Sequence, residues 1–295
     1  MTDASAFASG KGHRDENFPV ASWLVRREAR APILAFYRFV RAADDVADHP
    51  TAGAEQKLDQ LARMEAALRG ESDGNAEGVA LRTVLQERNV TDQHALDLLE
   101  AFRRDVTKQR YADWADLMDY CRYSAAPVGR FVLDVHHEST ALWPANDALC
   151  TALQVLNHLQ DCAKDHRMLD RVYIPLDALA TQGASVEALA ARQASPALLK
   201  TIQSLAHRTS ELLEQSRPFA HVIADRRLAL EVGAIQALAE SLTSRLTRRD
   251  PLSQRVHHHP AEAAILSARG ALGVVIGWFG RTGRSRQPRY SGGPG

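Results

Sequence analysis

Between residues 31 and 248 the apolar residues recur at spacings of three and four, and no stretch shows the alternation that marks a strand. Such spacing gives each helix one apolar face, so the chain can fold only by laying helices against one another. Helices are expected at roughly 31–48, 55–69, 77–88, 92–108, 113–137, 146–166, 195–223, 227–248 and 260–270. His49-Pro50, Glu71 to Asn75, Trp143-Pro144, Arg217-Pro218 and Asp250-Pro251 are the turn-like separators. The one short extended stretch is Val172-Tyr173-Ile174 ahead of Pro175. No repeat or long linker divides the chain. The expectation is a single all-α domain over residues 1–265, followed over 266–295 by an apolar segment and a flexible Gly, Arg and Ser-rich tail.

Charge narrows the function. Across 295 residues, 36 Lys and Arg balance 36 Asp and Glu, so the basic excess of a nucleic-acid binder is missing and any anion must be met by local charge. The apolar share of 45% can build a core, which excludes a mostly disordered chain. Cys121, Cys150 and Cys162 are odd in number and lack CxxC spacing, so neither a disulfide framework nor a zinc cluster is expected, and a reducing cytoplasm fits. The opening MTDASAFASGKGHRDENFP has no apolar h-region, so no signal peptide is expected. Ala271 to Phe279 falls short of the roughly 20 residues needed to span a bilayer, and an integral membrane protein is not expected.

Two acidic patterns carry the chemistry. At about 100° per residue, Tyr37, Arg41, Asp44 and Asp48 fall on one stripe of their helix, with Asp45 off it and Ile33, Phe36 and Val40 along its border. Gln154, Asn157, Asp161 and Asp165 share a face in the same way. In both patterns aspartates one turn apart repel each other near a helix C-terminus, where the dipole further disfavours negative charge, so something cationic should compensate. Oxygen-only ligands suit Mg²⁺, which takes one or two carboxylates and fills its remaining positions with water and substrate phosphate. Two facing ladders would bind a diphosphate through bridging magnesium ions. Solvated faces with local ion pairs are the alternative for either ladder. A di-iron bundle would need Glu-x-x-His motifs, and the sequence has none. A non-catalytic helical scaffold with a structural metal site is the reading from a different class, and it predicts metal-dependent stability without turnover.

Tyr37-x-x-x-Arg41-x-x-Asp44-x-x-x-Asp48, and Gln154-x-x-Asn157-x-x-x-Asp161-x-x-x-Asp165 followed by Arg171-Val-Tyr-Ile-Pro, resemble the squalene and phytoene synthase family. Tyr120 to Gly129 is similar to that family's central helix, and Gln254-Arg255-Val256 to a late motif. The resemblance spans roughly residues 13–260 and implies an isoprenoid synthase fold, a helical bundle around a deep central cavity. Glu16 to Ser22, Ser124 to Arg130 and Asn157 to Asp161 further resemble the members that convert presqualene diphosphate and water to hydroxysqualene and diphosphate in hopanoid biosynthesis. That likeness implies no NADPH and a functional coupling to other enzymes of that pathway. Head-to-head condensation of two prenyl diphosphates, to presqualene diphosphate, squalene or phytoene, is the alternative within the family. Where most members have Arg, this chain has Gln160, one cation fewer for phosphate.

The resemblance assigns magnesium to Asp44, Asp48, Asn157, Asp161 and Asp165, and the substrate to Arg14, Asp15, Glu16, Asn17, Tyr37, Arg41, Gln154, Arg171, Tyr173 and Arg255. The four ladder aspartates would drive departure of diphosphate. Phe18, Tyr37, Tyr123, Phe131 and Tyr173 are candidates for an aromatic wall around the carbocation, with core packing as the plain alternative for each. His257-His-His259 reads as a solvated loop, because three adjacent histidines cannot face one ion. His136-His137-Glu138 reads as a helix end. Leu198, Leu199, Ile202, Leu205 and Leu212 read as core packing. Gly270 to Gly280, with Arg281, Arg284 and Arg286 after it, has the composition to dock on an anionic membrane surface, at the inner face of the membrane, or to pack on the protein.

Overall fold

The computed structural model describes residues 26–282, and there the three-and-four spacing becomes helices, with no strand among the described residues. They are α1 (Arg27–Ala47), α2 (Ala54–Arg69), α3 (Ala76–Arg88), α4 (Gln93–Thr107), α5 (Trp114–Ser124), α6 (Ala126–Val135), α7 (Trp143–Leu169), α8 (Leu176–Thr181), α9 (Pro196–Ser216), α10 (Phe219–Val222), α11 (Arg226–Leu246) and α12 (Pro260–Thr282).

Two expected helices are interrupted, each near a proline. The stretch 113–137 divides at Ala125 (φ −123°, ψ −51°) into α5 and α6. Pro127 has no N–H for the carbonyl of Tyr123, and its ring would collide with that carbonyl in a continuous helix. Pro218 ends α9 and opens α10 in the same way. The second ladder's helix is longer than expected. α7 runs for 27 residues, about 40 Å, with Pro144 in its first turn where a missing N–H costs nothing. α8 and a 3₁₀ turn at Val186–Ala190 arise where no element was expected.

Two apolar cores meet at α6. One centres on α7, with Leu149, Leu156 and Leu159 packed against Ile202, Leu205 and Leu242. The other joins α1 to α2, α3 and α4 through Phe39, Leu61, Leu81 and Leu99. Each such side chain, fully buried, contributes about 1.5–3 kcal/mol. Phe131 of α6 stacks on Phe36 of α1 at 3.9 Å between ring centroids. α6 therefore props α1 away from α7, and the space left between those two helices is a cavity.

The extended stretch after α7 closes one side of that space. Asp170 turns the chain in the left-handed region (φ 51°), Val172 N–H donates to the Gln109 carbonyl at 2.9 Å, and Leu176 N–H donates to Tyr111 O at 3.0 Å. Held along 109–112, the stretch buries Arg171 and Tyr173.

α12 is a single helix through the apolar run expected at 271–279. By length and composition 260–279 is long and apolar enough to cross a membrane, with mean hydropathy 1.3, which the shorter run 271–279 alone did not suggest. One side of α12 lies directly on α11, where a Cβ on Gly270 would sit 2.2 Å from the Gly233 carbonyl oxygen. The other side leaves Ile265, Leu272, Ile276 and Phe279 exposed.

Candidate active site

α1 buries Ile33, Phe36 and Phe39 because they fall on its apolar stripe, and this sets the direction of the neighbouring acid ladder. Tyr37, Arg41, Asp44 and Asp48 all line a cavity of about 380 Å³. The compensating cations are arginines. Arg41 donates to Asp44 at 2.8 Å and to Asp45 at 2.5 Å, so the aspartate off the stripe shares the same guanidinium. Arg171 donates to Asp48 at 2.5 Å, to the Ala47 carbonyl at 3.2 Å and, through Nε, to the Asp105 carbonyl at 3.2 Å. Three of its five donors are thereby occupied.

Gln154 and Asp165 of α7 line the same cavity from the opposite side. Asn157 and Asp161, on the same helix, are half-buried and are not among its lining residues. Asp161 lies 4.0 Å from His257 Nε2, so the loop before α12 covers the second ladder at this point. Arg255, in that loop, is exposed and does not line the cavity. Arg14, Asp15, Glu16, Asn17 and Phe18 lie outside the described residues. Gln160 is buried and stands away from the cavity, so its Arg counterpart in relatives has no simple bearing on the charge lining it here.

The ladders sense each other. Burial, then the neighbouring Asp48, pushes the Asp44 carboxyl up to about 7 against the lowering effect of Arg41. Burial, then Asp161, with Asp48 across the cavity, pushes Asp165 up to about 7. Carboxylates that resist ionising this strongly mark a local shortage of positive charge.

Three residues in this cavity had no assigned role in the sequence reading. Asp105 of α4 is buried and accepts hydrogen bonds from the hydroxyls of Tyr120 and Tyr173, each at 2.9 Å. Burial raises its carboxyl to about 6. His158 stacks on Tyr173 at 3.5 Å, and burial, then Arg171, lowers it to about 3, so it is a neutral ring. Tyr120 lines the cavity. Tyr123, three residues further along α5, does not: Arg104 and Arg122 lie over its ring at 4.3 and 4.7 Å. A signal for Asp105 does exist in the sequence, since it continues the stripe Leu98, Phe102 where an apolar residue is the norm.

A hard cation fits this donor set. Asp44, Asp48 and Asp165 supply oxygen only, and the raised carboxyls would be relieved by added positive charge. Among the described residues no three acid, histidine or cysteine side chains form a ready-made metal cage. Mg²⁺ does not require one, since water and phosphate complete its octahedron.

An apolar cavity of about 300 Å³ adjoins the polar one, sharing Tyr37, Val40 and Val128 with it. Phe36, Phe131, Leu149, Phe219 and Ile235 are among its walls. A charged head and a hydrocarbon body could thus be held at once.

The sequence model of the squalene/phytoene synthase family matches residues 12–262. The chain is 57% identical over 276 residues to a hydroxysqualene synthase of Rhodopseudomonas palustris, covering 94% of each, and 55% identical over 275 residues to one of Zymomonas mobilis, covering 92% of this chain and 93% of that one. The crystal structure of squalene synthase HpnC from Alicyclobacillus acidocaldarius superposes with a TM-score of 0.71 at 32% identity, covering 83% of this chain and 92% of that one. A dehydrosqualene synthase crystallised with a ligand gives a TM-score of 0.74 at 21% identity over 89% of this chain and 93% of that one, a likeness of fold.

Proposed function

The chain belongs to the squalene/phytoene synthase family and has its isoprenoid synthase fold, and we propose that it converts presqualene diphosphate and water to hydroxysqualene and diphosphate, with no NADPH. The observation that carries this reading is identity above one half, across nearly the whole chain, to proteins named hydroxysqualene synthase. The two adjoining cavities suit a substrate with one diphosphate and a long hydrocarbon.

In this reading Asp44, Asp48, Asp161 and Asp165, with Asn157, would hold Mg²⁺. Bound there, Mg²⁺ supplies Lewis-acid stabilisation of the leaving diphosphate. Arg41 holds Asp44 in place and offers charge to phosphate oxygens. Arg171 is chiefly a positioning residue, because it fixes Asp48 and the end of α1. Gln154 adds an amide at the cavity wall. Tyr37 presents aromatic surface where head and tail cavities meet, and Tyr120 and Tyr173 line the polar cavity, surfaces suited to a carbocation. Arg14, Asp15, Glu16 and Asn17 keep the substrate-facing role that the family resemblance gives them.

The exposed side of α12 is proposed to rest on the inner membrane face, where an oily product would be released. The test of the activity is direct: purified enzyme with presqualene diphosphate and Mg²⁺, and no reductant, should form hydroxysqualene. Product obtained only from farnesyl diphosphate would instead establish a condensing enzyme.

A further inference from the structure

Tyr120, Ser124 and Val128 line the polar cavity at spacings of four, and Val128 also belongs to the apolar one, so Ser124 stands one step from the junction. Its hydroxyl oxygen is buried and has no hydrogen-bond partner. Helical hydroxyls buried elsewhere in the bundle turn back to the carbonyl four residues earlier, Thr201 to Ala197 at 3.0 Å, Thr209 to Leu205 at 2.8 Å and Thr243 to Ala239 at 2.9 Å. Ser124, the last residue of α5, makes no such bond. Among the described residues it is the one serine or threonine whose buried hydroxyl is left unbonded. That is costly, and alanine in its place would be free of the cost, so the hydroxyl calls for a partner that arrives with the substrate.

Neighbouring groups are committed elsewhere. The hydroxyls of Tyr120 and Tyr173 both donate to Asp105 at 2.9 Å. His158 Nε2 is also buried without a partner, but its ring stacks on Tyr173 beside Arg171, on the ladder side of the cavity.

Resting on the reaction proposed above, we infer that Ser124 holds the water that captures the carbocation. Departing diphosphate takes the electron pair of the C–O bond and leaves the cation where the two cavities meet. A water that donates one hydrogen to Ser124 Oγ keeps a lone pair for that carbon. A new C–O bond forms, and the extra proton of the resulting oxonium passes to an oxygen of the released diphosphate, giving the alcohol. In the competing route a carbon beside the cation loses its proton to the same diphosphate, and the C–H electron pair closes a double bond, giving a hydrocarbon. Both routes share one cation and one proton acceptor, so a held water decides between them. No oxidant or reductant is involved.

The test is the number of alcohols formed per diphosphate released from presqualene diphosphate, compared in wild type, Ser124→Ala and Ser124→Thr. In the Ala variant the ratio should fall about tenfold, the effect of one hydrogen bond, with hydrocarbon making up the difference. Its melting temperature should be no lower than wild type, because the lost hydroxyl bonds to nothing in the protein. The Thr variant keeps a hydroxyl and should retain most of the ratio. An unchanged ratio in the Ala variant, a Thr variant no better than Ala, a lower melting temperature for Ala, or a folded Ala variant that releases no diphosphate would each overturn the assignment. If the Thr variant does not fold, the Ala variant decides alone by its ratio and melting temperature. Wild-type enzyme that makes no alcohol would overturn the proposed activity, an outcome distinct from any of these.

Discussion

Arg171 reaches Asp48 at 2.5 Å across 123 residues of sequence, and the same guanidinium holds the carbonyls of Ala47 and Asp105. One side chain therefore joins the end of the first ladder, the extended stretch after the second, and the buried acid of α4.

Arg171→Ala should lower stability by about 3 kcal/mol in urea unfolding, because two backbone carbonyls and a carboxylate lose their donor in a buried place. Arg171→Lys keeps the charge but cannot make three directed bonds, so it should recover only part of the stability and little of the turnover. Equal stability of the Ala variant and wild type would show that the stretch 171–174 is held by its backbone pairing alone.

Asp44→Asn separates stability from activity. The Asp44 carboxyl is pushed up to about 7 by burial and by Asp48, so removing its charge relieves repulsion, while Arg41 retains Asp45. The metal-free variant should melt no lower than wild type and should lose turnover by about a hundredfold or more. Asp161→Ala should likewise abolish turnover with the helical CD signal intact. Full activity in either variant would remove that ladder from the site.

The ladders were legible because a helix brings residues i, i+4 and i+7 together whatever the rest of the chain does. Tyr37, Arg41, Asp44 and Asp48 do line one cavity, and Gln154 and Asp165 face them. What spacing cannot encode is which side chain from a distant element completes the arrangement. Asp105 gains its meaning from Tyr120 and Tyr173 on two other elements, and Arg171 gains its role as a clamp from Asp48. Tyr123 and Tyr120 are three residues apart on α5, close enough that spacing alone did not separate the cavity-lining ring from the one beneath two arginines. The break at Ala125 had its cause in plain view, since Pro127 cannot continue a helix from α5.

The raised carboxyls also set a pH dependence. Asp44 and Asp165 hold protons up to about 7 when folded, against 3.8 as an ordinary carboxyl, so between these values the folded state binds more protons than the unfolded. Their contribution is complete at the acid end and is lost as pH rises through about 7. Metal-free protein should therefore melt lower at pH 8 than at pH 5.5. Mg²⁺ should raise the melting temperature more at pH 8, where its ligands are ionised. Melting curves with and without Mg²⁺ at both values decide this, and a magnesium effect larger at pH 5.5 would contradict it.

The membrane proposal for α12 depends on separating its two faces. Truncation after His259 is a blunt test, because it also uncovers α11 at Gly233 and removes the buried Val274. Ile276→Glu with Phe279→Glu is sharper. Both residues are exposed, while Trp278, beneath the Arg226 guanidinium at 5.5 Å, keeps that end of the helix on α11. Each glutamate removes buried apolar area from a membrane-bound state and adds a negative charge beside anionic headgroups, a loss of about 2 kcal/mol or more per site. In flotation with phosphatidylglycerol-containing vesicles the double variant should lose most of its bound fraction, with melting temperature and turnover of dispersed substrate near wild type. Equal flotation of the variant and wild type would mean that this side of α12 does not contact the lipid.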